Sequence, residues 1–198
     1  MTENENQLIE RAQENGVDAF RDIVETYKDR IYCLAYDLTC NQHDAEDLVQ
    51  EVFIKAFRSL DSFRGDAKLS SWLYRITVNS YLNKKRKKAL TEMSLMDNFN
   101  EKSSENDAFS GTDFSENPER SANSRMIQHH IELALSKLAK KERSVFVLRH
   151  YQDLPLKEIA ALLNIAEGTV KSLLFRAIRR LQNELSFYRG DLGMEDAI

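Results

Sequence analysis

Residues 154–181 read LPLKEIAALLNIAEGTVKSLLFRAIRRL, and they are the most informative stretch of the 198-residue sequence. The apolar residues predict a short helix over Leu156–Leu163. Pro155 is compatible with its first turn, where an N–H has no partner. Residues 164–166 leave room only for a tight turn, and a two-faced helix follows from about 168 to 185. This order predicts a helix-turn-helix unit, which places its second helix in the DNA major groove.

The last helix carries one apolar and one basic face. At 100° per residue, a packing stripe within about 40° is predicted for Val170, Leu174, Ala177 and Leu181, with Leu173 at its edge. The remaining arc holds the predicted DNA contacts, Lys171, Ser172, Phe175, Arg176 and Arg179. Arginine forks suit guanine, Lys and hydroxyls suit phosphate, and Phe suits a thymine methyl. A solvated surface helix is the alternative, but basic charge outnumbers acid on this face.

The rest of the chain is also predicted to be helical. Only 6 Gly and 2 Pro occur in the whole sequence, which disfavours a many-turned β architecture. One amphipathic helix is predicted from about residue 19 to 38, and Asn41 is expected to cap the next. Ser70 or Ser71 is expected to cap a third helix from Trp72 to about Lys87. The fold class is therefore all-α.

Two small helical domains joined by a flexible acidic linker are predicted. An N-terminal segment (1–17) precedes the first domain (18–90), the polar linker covers 91–123, and the second domain (124–187) precedes a tail (188–198). The net charge of −4 divides into −2 for residues 1–87, −5 for 88–123 and +3 for 124–198. The acidic average therefore hides a basic second domain and the basic run of residues 84–88, both suited to nucleic acid.

The second domain resembles region four of the bacterial sigma factors. Glu158-Ile159-Ala160, the GTVKS of residues 168–172 and Arg176-Ala177 match the family pattern position by position. Two positions depart from it, since Pro155 stands where the family often has Ser or Thr and Leu173 where it often has Arg or Lys. The resemblance implies that the exposed face of the last helix reads the −35 promoter element.

The first domain resembles sigma region two, and the chain as a whole resembles the extracytoplasmic-function (ECF) group. DAEDLVQEVFIKAF, residues 44–57, resembles the helix that docks on the β′ clamp helices of core RNA polymerase, implying contacts from Asp47, Gln50, Glu51 and Lys55. Residues 63–79 resemble the segment that captures a flipped base of the −10 element, where aromatic and basic side chains suit melted DNA. The implied −10 residues are Phe63, Arg64, Gly65, Asp66, Lys68, Arg75, Asn79, Lys84 and Arg86. Solvated or core positions are the alternative for several of these, and Trp72, Leu73 and Ile76 are predicted to be core.

The resemblance also implies the partners: core RNA polymerase through the β′ clamp helices and the β flap, promoter DNA, and an anti-sigma factor. We expect no cofactor, metal or small-molecule substrate, because no catalytic motif occurs and Cys33 and Cys40 lack metal-ligand spacing. An acidic N-terminus and the absence of a long apolar run predict a cytoplasmic protein without membrane insertion. The alternative function is a stand-alone helix-turn-helix regulator, which predicts a receiver or ligand-binding core in front.

Overall fold

The computed structural model describes residues 8–13, 16–63, 65, 67–94 and 118–189. This part of the chain is helical and contains no strand, which confirms the predicted all-α class. Residues 8–13 are helical, short 3₁₀ helices cover Leu60–Ser62 and Ser186–Arg189, and the main helices are α1 (Val17–Thr39), α2 (Gln42–Ser59), α3 (Leu69–Ser94), α4 (Pro118–Ser136), α5 (Lys140–His150), α6 (Leu156–Leu163) and α7 (Glu167–Glu184). We call the described residues 8–94 the first half and 118–189 the second half.

The first half is a bundle of α1, α2 and α3. Its apolar residues recur at three- and four-residue steps, so each helix buries one stripe against the others. Cys40 ends α1 in the left-handed conformation, with φ 51°. Asn41 then caps α2 as predicted, because its side-chain oxygen accepts a hydrogen bond from the Asp44 N–H at 3.0 Å.

The second half contains the predicted helix-turn-helix unit, formed by α6 and α7. Pro155 immediately precedes α6, and its carbonyl oxygen accepts hydrogen bonds from the N–H groups of Glu158 and Ile159. Asn164 ends α6 with φ 53°, a left-handed conformation that asparagine tolerates well. The three-residue turn therefore has the local chemistry that its sequence predicts.

The helices on either side of the predicted linker are longer than the apolar period indicates. α3 continues to Ser94 and α4 begins at Pro118, whereas these helices are predicted to end near residue 87 and to begin near 124. The predicted start of α3 at Trp72 is also wrong, because α3 begins at Leu69 and both Ser70 and Ser71 lie inside it. Residues 88–94 read KALTEMS, mostly strong helix formers, and proline is favoured in a first turn. The remainder of the predicted linker, residues 95–117, lies outside the described residues.

The two halves pack against each other, which the sequence did not predict. Their buried apolar residues form one hydrophobic cluster, which extends from Ile23 and Leu34 in the first half to Leu148 and Ile159 in the second. A smaller cluster joins α4 to the far end of α7. None of the described helices contains an apolar stretch long enough to cross a bilayer.

Polar contacts also cross between the halves. Arg143 Nη1 donates to the Leu38 carbonyl oxygen at 2.9 Å, and Lys140 Nζ donates to the Tyr81 carbonyl oxygen at 2.9 Å. Ser71 Oγ donates to Glu158 Oε1 at 2.6 Å. Each contact joins one half to the other, so the packed arrangement is specified by hydrogen bonds as well as by apolar burial.

Candidate nucleic-acid and partner-binding surfaces

The recognition helix α7 is anchored by its apolar stripe. Val170 and Ala177 are fully buried, and Leu181 is largely so. Leu173 is also buried, as expected for the edge of the stripe, whereas Leu174 is only half-buried. This anchoring fixes the rotation of α7 about its axis and therefore decides which side chains face outward.

All five predicted DNA contacts of α7 are exposed. Phe175, at 59% exposure, is an unusually open aromatic side chain, and the Arg179 guanidinium lies 5.1 Å from the centre of its ring. Lys171 pairs with Glu167 at 3.0 Å in the first turn of the helix. Ser172 donates its hydroxyl hydrogen to the Gly168 carbonyl oxygen at 2.9 Å. The arc is thus polar, basic and partly aromatic, which suits phosphates and base edges.

A buried carboxylate lies beneath one flank of this arc. Glu142 of α5 has a side chain that is only 5% exposed, and it forms ion pairs with Arg176 Nε at 3.6 Å and with Arg180 Nη1 at 3.5 Å. Sequence reasoning missed Glu142 because it stands in the polar run KKER, which has the composition of a solvated helix start.

The second candidate surface is the loop before α3 together with one face of that helix. Arg75 and Asn79 are exposed, four residues apart on one face of α3, and Lys68 is exposed just before the helix begins. Gly65 has φ 75°, a left-handed conformation that a side chain would strain. Ser71 lies one turn before Arg75 on the same face, so its contact with Glu158 places the second half beside this surface.

Phe63 does not belong to the open part of this surface. Its side chain is 9% exposed and its ring lies 5.0 Å from that of Trp72, so it anchors the loop rather than presenting a face to a base. Leu73 is fully buried, as predicted for a core position, whereas Trp72 and Ile76 are half-buried and pack against the edge of the core. The predicted contacts Arg64 and Asp66, and the side chains of Lys84 and Arg86, lie outside the described residues.

The third candidate surface is the outer face of α2. Asp47 and Gln50 are exposed there, while Glu51 pairs with Lys55, whose ammonium also donates to Ser80 Oγ of α3 at 2.9 Å. Lys55 is therefore turned toward the bundle and away from the centre of this face.

An apolar group that sequence reasoning missed lies on the same face of α2. Ile54 is 52% exposed. Phe57 is 40% exposed and covers the Phe20 ring edge-on at 5.2 Å. The signal in the sequence was Ile54 itself, a single apolar residue on an otherwise polar stripe.

The boundary between the halves holds groups whose ionisation is suppressed. Burial, together with the nearby charge of Glu132 on α4, raises the pKa of Asp37 to about 7. Burial also raises the pKa of the Cys40 thiol to about 11, although the charge of Arg143 opposes that shift. These groups therefore keep their protons to a higher pH than they would in solvent while the halves are packed.

Comparison with known proteins finds the same two parts. Residues 23–91 match the family Sigma-70 region 2, and residues 129–181 match Sigma-70, region 4. The chain is 36% identical over 187 residues to the ECF RNA polymerase sigma factor SigW of Bacillus subtilis, covering 89% of this chain and 94% of that protein. It is 32% identical to the ECF RNA polymerase sigma-E factor of Escherichia coli, covering 90% and 92% of the two chains.

Solved structures agree with this comparison. The sigma factor RpoE of Bartonella quintana, in complex with the anti-sigma factor NepR, has a TM-score of 0.67 and 26% identity, over 86% of this chain and 98% of that one. CnrH, in complex with the cytosolic domain of CnrY, shares the fold with a TM-score of 0.63 and 22% identity, over 92% and 97%. Both similarities extend across the two halves.

Proposed function

The chain belongs to the ECF sigma factors of bacterial RNA polymerase, which direct promoter-specific transcription initiation, and we propose that three of its surfaces divide this work. The observation that carries the proposal is the exposed basic and aromatic arc of α7, held outward by a buried apolar stripe. No part of the described first half has the βαβ pattern of a receiver domain, which argues against the stand-alone regulator.

The arc of α7 is proposed to read the −35 element. Arg176 and Arg179 supply forks for guanine O6 and N7, while Phe175 suits a thymine methyl group. Lys171 and Ser172 stand near the start of α7, where phosphate oxygens are attracted by the positive end of the helix dipole. Base contacts supply specificity here, and phosphate contacts supply affinity and orientation.

The loop and exposed face of α3 are proposed to open the −10 element. Lys68, Arg75 and Asn79 carry this role among the described side chains, and Arg64, Gly65, Asp66, Lys84 and Arg86 complete the set on the basis of sequence. Phe63 is left out because its ring packs on Trp72. A flipped base loses its stacking partners, and polar and cationic contacts near the loop offset that loss.

The outer face of α2 is proposed to dock on the β′ clamp helices of core polymerase. Asp47, Gln50 and Glu51 supply a polar rim, and Ile54 adds an apolar centre that is 52% exposed. Lys55 fits this role less well, since it pairs with Glu51 and Ser80. An apolar centre within a polar rim is the usual composition of a protein interface. The second half is proposed to contact the β flap.

Promoter binding requires the two halves to separate. The −35 and −10 elements are centred about 25 base pairs apart, or roughly 85 Å along the duplex at about 3.4 Å per base pair. A compact chain of this length has a diameter of only about 40 Å. The 23 residues between α3 and α4 can span about 80 Å when extended. The packed arrangement is therefore proposed to be the resting state.

A protein inhibitor is proposed to hold this resting state. The RpoE and CnrH structures each contain a bound partner, an anti-sigma factor in the first case, and their folds resemble the packed chain. We extend this to an anti-sigma factor for the present protein. We also propose that the present sigma factor itself is located in the cytoplasm, where core polymerase meets the chromosome.

Reconstitution tests the proposal. Purified protein is added to a sigma-free bacterial core polymerase with a genomic promoter library, and promoter-specific transcripts are expected.

Arg179→Ala should lower promoter binding, whereas Arg149→Ala, which alters an α5 arginine that contacts Asp153 and Leu154, should not. Ile54→Glu should weaken core binding, and Asn79→Ala should impair opening but recover on pre-melted templates. Absence of any specific transcript from the wild-type protein contradicts the proposal.

A further inference from the structure

Glu142 is a buried acid, and its place in α5 does not by itself explain why the carboxylate is buried. Its side chain is 5% exposed in the first turn of α5. An acid there interacts favourably with the helix dipole, but a solvent-exposed acid would do so without being desolvated. Charged carboxylates are almost never buried unless they are paired. The reason for its burial therefore lies in its partners.

Those partners are two arginines of the recognition helix. Arg176 and Arg180 stand four residues apart on the same flank of α7, and both side chains remain more than half exposed. Glu142 Oε2 receives no hydrogen bond from the described residues, so the carboxylate acts on the arginines mainly through its charge. Each guanidinium has further N–H donors besides the one nearest to Glu142, because an arginine has five of them.

The geometry of Arg176 is the informative part. Glu142 approaches it at Nε, which is not part of the terminal fork, and the Arg176 side chain remains 57% exposed. A free arginine side chain must be ordered when it binds, and that ordering lowers affinity for each immobilised side chain. A carboxylate fixed beneath the helix would reduce that cost if it ordered the guanidinium before DNA arrives.

We propose that Glu142 is a positioning residue that holds Arg176, with Arg180 beside it, in the orientation that reads a base edge of the −35 element. This inference rests on the proposed −35 role of α7. It predicts an effect on discrimination between sequences, which differs from an effect on affinity in general. Neutralising Glu142 frees two arginines and removes one negative charge near the DNA. Non-specific binding should therefore rise while specific binding falls.

The test compares Glu142→Gln with Glu184→Gln. Glu184 is the last residue of α7 and forms an ion pair with Lys137, which directly follows α4. Both variants therefore change the net charge equally, but only Glu142→Gln releases Arg176. Holoenzyme is first used to select duplexes from a random library, which defines the preferred −35 sequence. Affinities for that duplex and for a scrambled duplex are then measured at two salt concentrations.

Glu142→Gln is expected to lower the ratio of specific to non-specific affinity about three- to tenfold, while Glu184→Gln leaves that ratio unchanged. In an Arg176→Ala background, Glu142→Gln should lower the ratio much less. If Glu142→Gln unfolds, Glu142→Asp replaces it, because the shorter carboxylate keeps the charge and is expected to lower the ratio partially.

An unchanged ratio in the folded Glu142 variant, or an equal fall in Glu184→Gln, overturns the inference. A full effect of Glu142→Gln in the Arg176→Ala background also overturns it, because the effect would then not pass through Arg176. Failure of the wild-type holoenzyme to select any −35 sequence would instead contradict the proposed function, so the two failures are distinguishable.

Discussion

Replacing Arg143 by methionine should loosen the packing of the two halves. α1 has no basic residue in its own last turn, and its final carbonyl groups lack helical partners. Arg143 supplies the missing cation from α5, because it donates to the Leu38 carbonyl oxygen at 2.9 Å. The same guanidinium also donates to the Ser136 carbonyl oxygen at the end of α4. Methionine keeps an apolar stem of similar length but has neither the charge nor the donors.

The size of the effect follows from the hydrogen bond that crosses between the halves. A hydrogen bond to a charged group contributes about 1.5–3 kcal/mol. The bond to Leu38 joins the halves, and Arg143 Nη1 also makes a longer, weaker contact with Cys40 Sγ at 3.7 Å. Loss of the Leu38 bond should shift the equilibrium between packed and separated halves by about 10- to 150-fold toward separation, since ~1.4 kcal/mol corresponds to tenfold. The bond to Ser136 stabilises the second half alone and affects both states.

Amide hydrogen exchange measures this shift even where separated halves are a minor population. Amides in the last turn of α1, including the Cys40 N–H that bonds to Tyr36, should exchange at least about tenfold faster in Arg143→Met. Arg149→Met is the matched control, since Arg149 lies in the same helix and donates hydrogen bonds to Asp153 and Leu154 of its own half. Circular dichroism verifies that both variants are folded.

Two results would refute this reasoning. Unchanged exchange in the last turn of α1 would mean that the Arg143 contact does not hold the halves together. Equal acceleration in Arg149→Met would mean that any weakening of α5 has the same effect. Ser71→Ala provides an independent perturbation of the boundary, because it removes the hydrogen bond to Glu158, and it should accelerate the same amides by a smaller factor.

Three further predictions concern single positions. Asn41→Ala should cost about 1 kcal/mol of stability in thermal or urea unfolding, because it removes the acceptor for the Asp44 N–H, while Asn41→Asp keeps that acceptor and should cost little. Folding raises the pKa of Asp37 from 3.8 to about 7, so the protonated carboxyl contributes stability that is present below about pH 4 and is lost as the pH rises to about 7. Asp37→Asn should therefore melt at a higher temperature than wild type at pH 8 but not at pH 4. The control Asp22→Asn, at an exposed position, should show no such crossover. Phe63→Leu keeps an apolar anchor against Trp72, so promoter opening at 25 °C should remain near wild type; loss of opening in the folded variant would restore a base-contacting role to this ring.

Local features were predictable from the sequence because they depend on neighbouring residues. The helical period, the Asn41 cap and the three-residue turn between α6 and α7 each involve residues only a few positions apart. The exposed arc of α7 followed from the same rule, since burying one stripe of a helix determines which side chains lie opposite. The extra turns of α3 and α4 were missed because propensity prolongs a helix where the apolar period has ended.

Partners distant in the chain were decided only by the tertiary structure. Arg143 and Leu38 are 105 residues apart, and no periodicity along the chain indicates that one will cap the helix of the other. Phe63 has the aromatic character expected of a base-stacking loop, but its contact with Trp72 makes it an anchor. Glu142 stands in a polar run that is typical of a solvated helix start, but in the folded protein its side chain is buried and paired with Arg176 of α7. A sequence pattern shows which face of a helix is apolar, and only packing determines what that face, or a charge beside it, will meet.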